Sequence, residues 1–455
     1  MLSTQLTTER LLQTTPGGEH QGQLAEDWQV TDHPDGKRTV TIALRRGVSF
    51  HDGTPLTAHV VKRALDAARN DDRQLQENPA LADIERIDVA SPDHLELTLQ
   101  RASVLLLDAL TIQIQHEKDG RLIGTGPFLI DEDANGKTRL VANPEYHRGQ
   151  PSIDIVYLNS YPTLRAAWSA MMREEIDFLF EVPSSAREFF ETASNVGIYS
   201  TLRRYAFTMA FNMRKAKLSD LILRRALNHA VDRRTVIEQA LAGDGRPASG
   251  VWSAHWAYGG IERTYRYDPT LASDMLTQAG FPPVAEPSAG SPDDPPSRFQ
   301  LTCIVPANRA PLEQIALLVQ RQLREVGVEM KLEATTSVDL GPRLARGDWD
   351  AVLLPVNTGR NLSRLYDSWH SREPLALFGY TSADGILDDL RQAASREELA
   401  TAASAFRDLL YDDPPAIFLA EGLQARALSG NLEIPPLEAG QDVIETLWRW
   451  QRTSD

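Results

Sequence analysis

Arg45-Arg46-Gly47-Val48-Ser49-Phe50-His51-Asp52-Gly53-Thr54-Pro55-Leu56-Thr57-Ala58 is the stretch on which the fold turns. Just before it, Thr39-Val40-Thr41-Ile42-Ala43-Leu44 alternates apolar and polar side chains and is rich in β-branched residues, which predicts a half-buried strand. Asp35-Gly36 ahead of that strand is a hairpin-turn signal. Gly47 and Asp52-Gly53 then punctuate the chain, and Thr57 stands where a helix N-cap is expected. Val60, Val61, Ala64, Leu65 and Ala68 follow at helical spacing. The module is strand, turn, helix.

Working outward, Leu95 to Leu99 predicts another strand, and Gly126-Pro127-Phe128-Leu129-Ile130 a turn into a strand. Asn135-Gly136 turns into Thr138 to Val141. Asp154 to Leu158 reads as a strand, Leu164 to Met172 as a helix, and Tyr205 to Met213 as a buried strand. Helices are expected over Leu218 to Val231, Thr235 to Ala242 and Leu271 to Gly280, the last closed by Gly280 and Pro282-Pro283. Residues 283–298 carry almost no large apolar side chain and read as a linker or loop. After them, strand Phe299 to Val305, helix Leu312 to Val326 and strand Val328 to Leu332 form a βαβ unit with a parallel pair. Helix Val338 to Arg346, strand Ala351 to Leu354, a helix over residues 395–411 and strand Ala416 to Leu419 continue the alternation. Leu447, Trp448 and Trp450 are expected to dock on a core. The pattern is mixed α/β, in lobes around open sheets, with ligands expected where lobes meet.

The 455 residues suffice for several cores, since domains run to roughly 100–200 residues each. With 47 basic and 63 acidic side chains, the net charge is −16, a poor basis for gripping nucleic acid and a good one for a monomer in solution. Cys303 is the only cysteine, which excludes an internal disulfide and a Cys-rich zinc cluster. No run of 18 apolar residues occurs, and the stretch from Val104 to Leu107 is broken at Asp108. The segment Met1 to Glu19 lacks the basic-then-apolar build of an export leader and has no lipid-anchor cysteine.

Asn135-Gly136-Lys137-Thr138 brushes a phosphate-binding loop, but Asp131 stands where its first glycine belongs and strands flank it on both sides, so a hairpin is expected. No G-x-S-x-G, H-E-x-x-H or EF-hand pattern occurs. His51, His59, His229, His255 and His370 never pair at metal-ligand spacing, so no metal site and no cofactor is implied. Trp252, Trp256 and Tyr258 lie together among small residues; they read either as a loop pinned by aromatic packing or as a pocket wall. Asn361-Leu362-Ser363 matches a glycosylation triplet, a pattern that chance often produces.

Leu24-Ala25-Glu26-Asp27-Trp28 followed by Arg45 to Ala58 resembles the signature "LAxSW … LRxGVxFHDGxPxTAxDV" of the bacterial extracellular solute-binding proteins, family 5, the peptide/nickel-type binding proteins of ABC importers. Further landmarks come in order: Gly124-Thr125-Gly126-Pro127-Phe128; Asn143-Pro144 with Tyr146 and Gly149; Phe211-Asn212 with Leu223 to Arg233; Tyr267-Asp268-Pro269 with Ala279-Gly280-Phe281. The resemblance runs from about Leu11 to Leu428 and implies a two-lobed periplasmic-binding-protein-like fold, type II, of the large three-subdomain variety. In that arrangement residues 1–24, 120–210 and 426–455 form the core of lobe I, residues 25–119 its extra subdomain, and residues 211–425 lobe II. Crossover strands near Tyr205 to Met213 and Ala420 to Leu428 would serve as the hinge.

Peptide binders of the family carry a "GWxxDYxDP" segment whose Asp receives the ligand's amino group. Here Pro355 to Ser363 occupies that place, Thr358 falls where the Asp would be, and the segment carries Arg360 with no carboxylate before Asp367. Arg360 is either a solvated loop residue or an anchor for a ligand carboxylate or phosphate. Compared with the family, some tens of residues are missing ahead of Thr8, and Gln113 to Leu122 is short. The expected ligand-binding residues are Tyr205, Phe207, Trp252, Trp256, Asn357, Arg360 and His370, with no catalytic residue. The expected function is capture of a small solute, peptide-like or anionic, for delivery to ABC permease subunits from the periplasm or cell surface. The alternative is a cytoplasmic ligand-sensing domain of a transcription regulator. An enzyme is not expected, because no nucleophile–base pair or metal constellation is visible.

Overall fold

A computed structural model of the chain describes residues 2–453 apart from 35–36, 102, 133–137, 183–185, 194, 252–253, 261, 284–296, 308, 359–360 and 374–378. The opening module forms as its residues dictate. Ala25–Asp32, Arg38–Leu44, His94–Leu99 and Ile84–Ser91 make a four-stranded antiparallel sheet in that spatial order. Helix Ala58–Arg69 is capped by the Thr57 hydroxyl, which accepts from the Val60 N–H, and it buries Val60, Val61, Leu65 and Ala68. Together with Leu11, Leu12 and residues up to Ile114, these side chains form one core.

A second core, of Leu6, Phe128, Leu140, Leu428, Leu447 and Trp450 among others, gathers the three-stranded sheet Phe128–Glu132, Thr138–Ala142 and Ile155–Leu158 with the C-terminal segment. Trp450 thus docks as expected.

The largest sheet has seven strands. Its middle is Val196–Phe211, paired antiparallel along nearly its whole length with Ala416–Ser429. At one end Phe178–Leu179 joins Ala427 and Leu428. At the other, Ala351–Asn357 pairs with Tyr205 to Phe211, and Phe299–Pro306 and Val328–Thr335 extend the sheet as a parallel pair bridged by helix Ala310–Glu325. Two large cores cover the two faces of this end.

The expected strands Tyr205 to Met213 and Ala416 to Leu419 are therefore pieces of longer ones, of 16 and 14 residues. Sequence periodicity missed their outer halves because Val196 to Leu202 is half-buried on both faces and lacks clean alternation. The helix expected from Leu218 starts at Leu221, since Asp220 accepts from the Leu223 N–H and Ala216–Ser219 is a separate 3-10 turn. The turns at Asp35-Gly36 and Asn135-Gly136 and most of the linker at 283–298 lie outside the described residues.

Arg233, inside the landmark that ends Ala230-Val231-Asp232-Arg233, locks helix to sheet. It is buried and donates to the carbonyls of Phe418 at 2.7 Å and Tyr265 at 3.3 Å, and to Asn228 Oδ1 at 2.8 Å. Leaving such buried acceptors unmatched is costly, so Arg233→Met is expected to lower unfolding free energy by about 3 kcal/mol. Urea denaturation followed by circular dichroism checks this.

Candidate functional site

The body that holds the first two cores, of Leu11 to Ile114 and of Leu6, Phe128 and Trp450, and the body that holds the two large cores of the seven-stranded sheet touch where the Thr15–His20 turn and the Val104–Asp108 segment of the first meet residues 255–258, 362–363 and 393–399 of the second. A cavity of about 150 Å³ lies in this contact. Its first wall holds Gly18, Glu19, His20, Leu105 and Asp108; its second holds His255, Trp256, Leu362, Arg396 and Leu399.

Trp256 spans the contact. Its backbone N–H donates to the Gly17 carbonyl at 2.9 Å and its indole Nε1–H to the Gly18 carbonyl at 3.1 Å. The Arg396 guanidinium lies 3.7 Å over the indole and pairs with Glu19 of the facing wall at 2.9 Å through Nη1. Asp108 is buried; it sits 3.0 Å from His20 Nε2 and accepts the Ser363 backbone N–H at 3.0 Å. One backbone bond and one side-chain bond complete the clasp: Val104 N–H to the Ala393 carbonyl at 2.9 Å, and Arg38 Nη2 to the Ala394 carbonyl at 2.6 Å.

Gly18 makes the approach possible. It has φ of +81°, and a Cβ there would stand 2.2 Å from His255 Cδ2. His255 is buried, with Nδ1 accepting the Ala257 N–H at 3.1 Å, so its neutral ring carries the proton on Nε2. Burial is the main reason its pKa falls from 6.5 to about 4, although the Asp108 carboxylate opposes the shift.

The expected ligand residues separate in the structure. Trp256 lies on the cavity wall. Tyr205 and Asn357 are register partners on adjacent strands, and Phe207 pairs with Pro355 beside them. Tyr205 and Phe207 meet edge to face at 5.6 Å and pack with the core of Leu227, Val236 and Leu419, while their neighbour Ala206 joins the opposite core with Leu105. His370 is fully buried at the end of helix Ser363–Trp369, stacked 4.3 Å from Tyr366, with Nδ1 accepting the Arg372 N–H; it does not line the cavity. Trp252 and Arg360 lie outside the described residues. Among the described residues, no group of three or more His, Cys, Asp or Glu side chains is arranged to hold a metal ion, and no helix is long and apolar enough to cross a membrane. Sequence reading passed over Glu19, His20, Asp108 and Arg396. Asp108 carried a signal, as the carboxylate that interrupts the apolar run from Val104 to Leu107.

Residues 19–371 match the family model described as bacterial extracellular solute-binding proteins, family 5 middle. The chain belongs to this family. It is 27% identical over 341 residues to the glutathione-binding protein GsiB of Salmonella choleraesuis (strain SC-B67), a match covering 71% of this chain and 62% of that protein. It is 26% identical over 444 residues to GsiB of Shigella dysenteriae serotype 1, covering 90% and 82%. The crystal structure of a putative peptide binding protein, AppA, from Clostridium difficile superposes with a TM-score of 0.84 at 19% identity, covering 99% of this chain and 96% of that one. That likeness shows the two-lobed fold. The family is one of binding proteins, not enzymes.

Two outcomes test the clasp. Gly18→Ala is expected to leave each body folded but to hold them apart, read as an increased radius of gyration in solution scattering. Between about pH 6.5 and 4, a form with His255 exposed binds a proton that the clasped form refuses. Stability contributed by the buried neutral ring is therefore complete above pH 7 and drains as pH falls through that window. Melting temperature should drop more steeply there for the native protein than for His255→Gln.

Proposed function

We propose that this protein captures a small, peptide-like solute between its two lobes and hands it to the permease subunits of an ABC importer. It acts as a monomer outside the cytoplasmic membrane. The observation that carries this reading is the pair of long central strands that runs from the small cores holding Ala425, Ala427 and Leu428 into the two large cores holding Phe207 and Ala206, in a molecule whose two bodies also wall a cavity. Strands shared in this way let the bodies rotate without separating, and a solute touching both walls favours the closed arrangement. In this reading lobe I comprises residues 1–24, 120–210 and 426–455 with the subdomain 25–119, and lobe II residues 211–425. The GsiB relatives are glutathione-binding proteins by name, which supports a small peptide as solute. The extracellular family supports the import reading over a cytoplasmic sensor. The solute wall includes Trp256, and the Tyr205, Phe207 and Asn357 cluster lies midway along the crossing strands, where Ala351–Asn357 joins them.

Native mass spectrometry of freshly purified protein is expected to show one solute per chain, released on collisional activation. Trp256→Ala, which removes the bridge to Gly17 and Gly18, should weaken glutathione binding at least tenfold by calorimetry. Protein that never retains a solute from cell extract, and whose scattering is unchanged by any, would refute the reading.

A further inference from the structure

A second cavity, of about 490 Å³, lies on the first body, away from the clasp. It opens between the loop 148–152 on one side and residues 433–435 and 448–451 on the other, and no residue of the second body lines it.

Its walls are held by the chemistry of the chain end. Glu433 is the antiparallel register partner of Gln451. The 3-10 turn Val443–Arg449 begins at Asp442, whose side chain accepts the Ile444 N–H and takes a bond from Arg426 Nε at 2.5 Å. Trp450 Nε1–H donates to Thr446 Oγ1 at 3.0 Å, and Val443, Ile444, Leu447 and Trp450 pack with Phe128 and Leu140. This leaves Trp448 half-buried toward the loop, where its indole meets Tyr146 edge to face at 5.6 Å. Tyr146 is buried and donates its hydroxyl to Glu9 at 3.0 Å, so the loop is anchored as well as the turn. Walls fixed beforehand lose little freedom when a ligand binds.

The charges on the lining do not balance. Arg148 and Arg449 border the same indole, with guanidinium carbons 5.0 and 5.5 Å from its ring centroid. Arg148 also reaches the Tyr146 hydroxyl. Neither arginine forms an ion pair with a described residue, in a chain whose 63 acidic side chains outnumber its 47 basic ones. Glu433 is the one carboxylate on the lining, so a surplus of one positive charge remains. Ile434, Pro435 and the indole add apolar surface beside it. A guanidinium fork suits a carboxylate, and an indole suits a flat apolar body. A metal cation meets two like charges here, and a dianion exceeds the surplus and meets Glu433.

We infer that this cavity is a second binding site, for a small monocarboxylic acid with a flat apolar body. Arg148 and Arg449 take the carboxylate, and Trp448, Ile434 and Pro435 take the body. The site belongs to the first body alone and does not rest on the capture reading.

Benzoate is the probe, and benzamide, its neutral counterpart of the same shape, is the control. In protein with isotope-labelled tryptophan, the Trp448 indole resonance is assigned by its loss in Trp448→Phe. Benzoate should move that resonance to saturation, and benzamide should leave it in place. Added salt should weaken the response, since both arginines are exposed. Arg148→Gln and Arg449→Gln should each weaken benzoate at least tenfold. Arg449→Gln decides the matter if Arg148→Gln, which also loses the Tyr146 contact, folds poorly. One equivalent of glutathione should not displace benzoate. A resonance that never saturates, that answers equally to benzamide, or that responds undiminished in Arg449→Gln overturns the inference. Displacement by glutathione overturns it too, because the acid would then share the cavity between the bodies.

Discussion

The pairing of Val196–Phe211 with Ala416–Ser429 is the constraint on which everything else depends. A backbone ladder resists stretching but twists readily, and this one carries two register irregularities, between Leu202 and Ala206 and between Phe207 and Thr208. Bulges of this kind bend a strand and raise its local twist. They fall opposite Gly422 and Leu419, and a third short strand, Gly245–Pro247, is attached along Ala420 to Gly422. The molecule thus has one stiff connection with a bend built into it, and each body can keep its own core while changing its orientation.

What closes the bodies is modest by comparison. Glu19 and Arg396 are half exposed, and an exposed ion pair contributes at most about 1 kcal/mol. The backbone bonds of Trp256, Val104 and Ser363 each add about 0.5–1.5 kcal/mol, offset by ordering of the Thr15–His20 turn. A contact of this strength leaves the equilibrium within reach of a ligand that touches both walls, because differential affinity of a few kcal/mol is enough to shift it. A larger apolar interface would hold the clamp shut regardless of solute.

The fold was legible where local chemistry decides it. Thr57, Asp268 and Ser395 cap helices because their side chains compete for backbone N–H groups, and the run from Phe299 to Thr335 is a parallel unit because two apolar strands flank a long amphipathic helix. The contact between bodies was less legible. Asp108 and Ser363 are 255 residues apart in the chain, and nothing local marks them as partners. Tyr205 and Phe207 were expected in the site as aromatics on a crossover strand. The period of two sends them to the face covered by Leu227, Val236 and Leu419, and gives Ala206 to the face that holds Leu105.

The central claim is that the two bodies move about the crossing strands and are drawn together by a solute. Cys303 is buried, so spin labels attach selectively to cysteines introduced at the exposed positions Asp72 and Val338, one on each body. Pulsed dipolar spectroscopy on Asp72→Cys/Val338→Cys should give a broad distance distribution in stripped protein that narrows and shortens when saturating glutathione is added. A distribution that stays the same with bound solute would contradict the hinged account.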